Sequence, residues 1–412
     1  MQDRNSYIPF DKNMKKTYTI LAPNMLPMHF KFIASLLETY GYNIEVLEDS
    51  NQDQIDIGLK YCHNDTCYPA VCVIGQFIKA LQSGKYDLNK VALIMFQTGG
   101  GCRASNYISL IRKALKKAHF EYIPVISMSV AGIEKHPGFE LSLKTYRGIV
   151  YAMLYGDLLM SLVNQCRTYE IKKGDSMNLA KKWIDVLSKE IGNKGSLKYS
   201  HIKNNYDKII QSFKNIEVNK FDAIKVGIVG EIFVKYSSLA NNDLENFLVK
   251  ENAEIVVPGL VDFFLFYLYN THEDSLHKGK KLKAFIFKKG YEYIYHKRDD
   301  VNKIIKKDGY FSYSMPFDNI VSYAKEYLNT SCKMGEGWLL TSEMLELYHN
   351  GCKNIVCAQP FGCLPNHICG KGMMKPLKEK NPDINIVAID YDAGASKINQ
   401  ENRIKLMLTN AK

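Results

Sequence analysis

Short apolar runs of strand length alternate with amphipathic helical stretches at both ends of this chain, and that alternation predicts parallel α/β sheets. Thr17–Ala22 reads as a strand, an amphipathic helix follows near 28–40, and Asn43–Leu47 reads as the next strand. Ile55–Leu59, Val91–Phe96 and Ile123–Ser127 read as further strands, with helices near 69–83 and 104–117. Residues 143–220 carry apolar positions at helical spacing, Leu158, Leu159 and Leu162 among them, and predict a helical layer. A second α/β unit starts at Lys225–Gly230 and reaches Glu254–Val257. A basic helical middle covers about 262–330, and a last stretch holds strands near 354–358 and 385–390 and a final helix near 396–408. The expected architecture is two doubly wound α/β lobes, 1–150 and 221–412, joined by a helical connector over 151–220.

Composition narrows the functional classes. No run of eighteen apolar residues lacks a charge, so no membrane span is expected. The first residues, Met1–Asn5, are polar and show no secretory signal. Ten cysteines without such a signal argue for metal or redox roles in a reducing, cytoplasmic setting rather than for disulfides. The net charge of +11 is concentrated in part in Lys278–Lys307. That stretch reads as a solvated basic face, with an acidic protein or a phosphate-bearing ligand as its alternative partner. No nucleic-acid motif and no spanning segment is found, so neither nucleic acid nor membrane is expected as a partner.

Three cysteines follow strand-like runs and precede helices: Cys67 after Ile55–Leu59, Cys102 after Val91–Phe96, and Cys363 after Asn354–Cys357. Ligand sites of open parallel sheets form outside the carboxyl ends of the strands. Cys62 and Cys67, four residues apart, are spaced too widely for a zinc knuckle. Gly99-Gly100-Gly101 precedes Cys102 and lacks the pattern of a phosphate loop. A glycine run there suits close backbone approach or N–H donation, with Gly100 and Gly101 as donors. Arg103 is placed to balance the charge of a metal centre or to bind an anionic substrate. The loop Gln359–Gly372 holds Gly362, Cys363, His367 and Cys369 between prolines and glycines. His367 reads as a residue supporting a ligand. Cys72 lies in an apolar run and reads as core, and Cys352 and Cys357 flank a buried strand and read as structural. All-cysteine ligation from separate loops suits a [4Fe–4S] cluster with three thiolates and one open iron.

Glu231 ends the strand that opens the second lobe and is placed as an acid/base or as a helix cap. Glu336 reads as dipole stabilisation at a helix start, and Ser396 as a helix cap.

The runs CHNDTCYPA (62–70), QTGGGCRASNY (97–107), GEIFVKY (230–236), QPFGCLPNHICGKG (359–372) and IDYDAGASKINQENRIKLML (389–408) resemble the activase-related branch of the 2-hydroxyacyl-CoA dehydratase superfamily. The resemblance covers most of the chain and is densest at about 57–130 and 335–409. It implies Rossmann-like lobes around a cysteine-bound iron–sulfur cluster, and an ATP-hydrolysing activase protein as electron donor. A similar sister group holds a double-cubane [8Fe–9S] cluster. On that basis Cys67, Cys102 and Cys363 are the expected ligands, with Cys62 and Cys369 in reserve and Cys332 or Cys357 added for a larger cluster. The expected function is a low-potential reductase or dehydratase component acting on a small molecule such as an acyl-CoA. The rival readings are a non-catalytic cluster-bearing scaffold and a zinc-stabilised binding protein. A homodimer is the expected assembly.

Overall fold

The computed structural model describes residues 7–47, 52–63, 65–98, 100–128, 134–192 and 198–411. Gly99, the first of the three consecutive glycines, lies outside them. The described part opens with one helical turn, α1 (Met14–Thr17), followed by β1 (Thr19–Ala22), α2 (Pro27–Glu38) and β2 (Asn43–Val46). Then come α3 (Gln52–Tyr61), α4 (Tyr68–Gln82), β3 (Val91–Phe96), α5 (Tyr107–Lys117) and β4 (Val125–Met128). The four strands are all parallel, in the order β2-β1-β3-β4. Three helices follow: α6 (Leu143–Cys166), α7 (Asp175–Gly192) and α8 (Tyr199–Lys214).

A second parallel sheet repeats the order of the first. Its strands are β5 (Lys225–Gly230), β6 (Glu254–Val256), β7 (Asn354–Pro360) and β8 (Asn385–Tyr391), ordered β6-β5-β7-β8. Between β5 and β6 lie α9 (Ile232–Tyr236) and α10 (Leu244–Lys250). Between β6 and β7 lie α11 (Leu260–His277), α12 (Lys281–Asp308), α13 (Phe317–Tyr327) and α14 (Trp338–His349). α15 (Met374–Lys380) precedes β8, and α16 (Lys397–Thr409) closes the chain, capped by Ser396, whose Oγ accepts from the Asn399 amide at 3.4 Å. β3, β5 and β7 are almost wholly buried, which is why they read as continuous apolar runs rather than alternating ones.

The run Ile55–Leu59 is not a strand. It lies within helix α3, whose buried residues Gln54, Ile55 and Gly58 fall on one helical face. α3 packs against α4 through glycines: a Cβ on Gly75 would stand 1.8 Å from the Gln54 carbonyl oxygen, and one on Gly58 would stand 2.2 Å from that of Val71. The two glycines let the helix backbones touch. Cys67 therefore arrives at the turn between two helices, not at a strand end. Gly75→Val is expected to lose about 1–3 kcal/mol of stability by overpacking this contact. Urea denaturation checks it, and an unchanged midpoint would show that the helices separate freely.

The exposed basic face expected over Lys278–Lys307 holds for most of its lysines but not for Arg298, which is 6% exposed. Its guanidinium pairs with Asp262 (Nε–Oδ1 2.5 Å, Nη2–Oδ2 2.9 Å), donates to the Met315 carbonyl at 2.6 Å, and lies 4.0 Å from Glu346. Nearby, Lys235 pairs with Glu343 at 3.0 Å, both buried. Asp157 on α6 accepts from the Leu260 and Val261 amides at the start of α11, at 2.7 and 3.0 Å, and lies 2.8 Å from His29 Nε2 on α2. One carboxylate thus ties the first sheet's helix, the helical layer and the second α/β unit together. The apolar core is likewise continuous, running from Leu21 and Phe32 through Tyr151 and Tyr155 to Val226 and Trp338. Each fully buried aliphatic or aromatic side chain there contributes about 1.5–3 kcal/mol. Helix α6 is long and apolar enough to cross a membrane, but 78% of its apolar window is buried inside this fold.

Candidate functional site

In both sheets the strand order reverses between the first and third strands, and the third strand of each delivers a cysteine from its carboxyl end. β3 leads to Cys102 and β7 leads to Cys363. Cys67 comes from the turn before α4. Loops of the two units meet here: a Cβ on Gly101 would stand 2.2 Å from Met334 Sδ, and one on Gly335 would stand 2.9 Å from Pro365 Cγ and 3.9 Å from Cys102 Sγ. Gly335 therefore lies between Cys102 and the loop that carries Cys363.

Each sulfur has a local anchor. Cys67 Sγ is 3.2 Å from the Tyr107 hydroxyl. Cys102 caps the 3₁₀ turn Arg103–Asn106, its Sγ accepting from the Ala104 amide at 3.5 Å. Cys363 Sγ accepts from Asn366 Nδ2 at 3.3 Å. Glu231 is common to all three. Its carboxylate acts electrostatically on Cys67, Cys102 and Cys363, and that of Glu336 acts on the last two.

Burial, with these carboxylates adding to it, pushes the Cys67 thiol up to about 12 and the Cys102 thiol to about 11, and raises that of Cys363 further. Nucleophilic cysteines have the reverse setting, an electropositive pocket that lowers the thiol pKa. Three half-buried thiols beside two carboxyl groups carry protons that a cationic centre can displace, because a bound metal deprotonates its thiol ligands outright. Soft sulfur donors select zinc, copper(I) or iron–sulfur centres. Among the described residues no three His, Cys, Asp or Glu side chains converge on a point that can hold one metal ion.

Glu231 and Glu336 are the acidic half of the site. Glu231 caps α9, accepting from the Val234 amide at 2.9 Å, and Glu336 accepts from the Ile232 amide at 3.0 Å. Burial first, and then the charge of Glu336, lift Glu231 to about 8; burial likewise raises Glu336. The reading of Glu336 as plain dipole stabilisation of its own helix needs correction, since it caps a different helix, α9. The signal was in the sequence: Gly335 (φ +61°) and Gly337 (φ +45°) flank it and turn it inward.

The other expected residues take supporting places. Arg103 is exposed, and its Nη1 donates to the Asp65 carbonyl at 3.1 Å, joining the Cys102 turn to the loop before Cys67. His367 Nδ1 lies 2.9 Å from the Cys363 carbonyl, within a π-helical turn over Asn366–Gly370, so it holds the cysteine's backbone. Gly100 (φ +77°) and Gly362 (φ +70°) have open space where a Cβ would stand, whereas Gly101 is packed against Met334.

The reserve cysteines are engaged elsewhere. Cys62 Sγ donates back to the Gly58 carbonyl at 3.0 Å. Cys369 is 3% exposed in the core of the second unit. Cys72, Cys352 and Cys357 are core, as expected. Tyr107, Met334 and Asn366 belong to the site although the motifs singled out only the cysteines beside them. Phe96, Met334, Phe361, Leu364 and Ile368, on the segments that lead to or carry these residues, are exposed. No family model matches the chain, and no curated protein matches it.

Proposed function

We propose that the chain is an iron–sulfur protein of two Rossmann-like lobes whose cluster is held by Cys67, Cys102 and Cys363. The observation that carries this reading is that cysteines from three separate loops, in both sheet units, lie within electrostatic reach of the same carboxyl group, Glu231, with Gly335 packed between Cys102 and the Cys363 loop. When bound, a [4Fe–4S] cluster supplies one-electron transfer at low potential and an open iron for substrate. The chain's own residues supply the setting. Tyr107 and Asn366 donate to sulfur and tune its electron density. Glu231, protonated over much of the physiological range, holds a proton beside the site for a reduced substrate. Arg103 supplies positive charge next to Cys67.

The activity that fits is that of a reductase or dehydratase component fed electrons by a separate ATP-hydrolysing activase, with a small molecule such as an acyl-CoA as substrate. A double-cubane [8Fe–9S] cluster calls on Cys62 and Cys369 as well, and their engagement away from Glu231 supports the smaller cluster. A non-catalytic scaffold predicts every iron ligated by protein and no substrate effect on the cluster's spectrum.

Anaerobic purification with iron and sulfide counting and a visible spectrum tests the reading. Cys67→Ala, Cys102→Ala and Cys363→Ala are each expected to lose most of the iron and the visible absorbance, while Cys62→Ala keeps both. A colourless zinc-bearing preparation overturns the proposal, and an intact cluster in any of the three variants removes that cysteine from the ligand set.

A further inference from the structure

The turn between α11 and α12 makes a second surface, separate from the cysteines. From Ser275 to Tyr291 the chain has six lysines, one histidine and no acidic residue. From Leu276 to Lys289 every residue is exposed except buried Ala284 and half-buried Phe287. Leu282 is 74% exposed, Ile286 58%, Phe285 57% and Leu276 49%. Ala284 fixes the base of this tip, its carbonyl lying 2.9 Å from His272 Nδ1 on α11. Lys278 and Lys289 have acidic neighbours at the base, Asp274 at 4.0 Å and Glu292 at 2.7 Å. Lys280, Lys281, Lys283 and Lys288 form no ion pair among the described residues.

Scattered exposed apolar residues need no explanation, but four large ones on one projecting turn, ringed by unpaired lysines, do. We propose that this tip docks on an anionic lipid surface. The apolar side chains enter the boundary between headgroups and acyl chains while the lysines bind the headgroups. A second copy of the chain is a poor occupant, because a two-fold contact would set lysines against lysines. A protein partner is less favoured, since a convex turn of two helix ends falls short of the roughly 800 Å² per partner of a standard interface. This revises the expectation of no membrane partner, which rested only on the lack of a spanning segment.

Sedimentation of the full chain with phosphatidylcholine vesicles, with and without phosphatidylserine, tests the proposal. Binding is expected only with phosphatidylserine and is expected to fall as salt is raised. Leu282→Ser/Phe285→Ser/Ile286→Ser and, separately, Lys280→Gln/Lys281→Gln/Lys283→Gln/Lys288→Gln are each expected to weaken it by about tenfold or more, with circular dichroism unchanged. No binding to either vesicle, equal binding to both, or wild-type binding by the apolar variant overturns the proposal. Retention on immobilised polyglutamate without vesicle binding assigns the tip to an acidic protein instead. Iron content is unaffected by either result, so this test and that of the cysteines fail separately.

Discussion

Arg298→Ala is expected to lower the free energy of unfolding by about 3–5 kcal/mol, because it strips buried Asp262 of the cation it pairs with. Asp262 and Glu346 are 1% and 3% exposed, and both face the guanidinium. Without it Asp262 must either stay charged in an apolar setting or take up a proton, as burial already favours for Glu346. The same loss leaves the Met315 carbonyl without its charged donor. Urea denaturation measures the effect. A companion variant, Arg298→Met with Asp262→Leu and Glu346→Leu, removes all the charges together and is expected to recover most of the loss. A fall below about 1 kcal/mol in the single variant would mean that water reaches the cluster of charges.

Stability is expected to decrease as pH rises from about 6.5 to 8. Burial lifts Glu343 to about 7, against the pull of Lys235, and burial followed by the charge of Asp262 lifts Glu346 to about 8. Glu231 is raised to about 8 as well. In the unfolded chain these groups ionise near the ordinary glutamate value, about 4.3. Between that value and the folded one the native state holds protons that the unfolded state has released, so raising pH favours unfolding. The stabilisation is complete below the unfolded value and is lost through the folded one, at no more than about 1.4 kcal/mol per pH unit for each group. His136 acts in the opposite sense, since burial lowers its pKa, but that contribution is complete by about pH 6.5. Urea midpoints at about pH 6.5, 7.2 and 8 check the slope. Midpoints that rise across this window would show that the glutamates are already ionised in the folded protein.

Local patterning made the strands and most helices readable. Val91–Ile94 and Val226–Gly230 are buried on both faces, so their apolar runs had one interpretation. Ile55–Leu59 misled because five residues show strand alternation and helical spacing equally well, and the contact of Gly58 with Val71 that decides the matter is tertiary. At the site, cysteines among glycines and prolines were visible one by one. Their grouping was expected only through the resemblance, and the meeting of Glu231 with Glu336 was not expected, because the two come from loops more than a hundred residues apart. Arg298 was hidden for a related reason: among so many lysines only packing distinguishes the one cation that faces inward. His29 and Asp157, 128 residues apart, left no local mark at all.

The division of the cysteine site between the two sheet units has a consequence for biosynthesis. About 260 residues separate Cys102 from Cys363. At ordinary translation speeds of about 5–20 residues per second, the ribosome takes roughly 13–50 s to cover that distance. A nascent chain thus presents Cys67 and Cys102 long before Cys363 emerges, and the proposed centre can mature only once the second half of the message has been read.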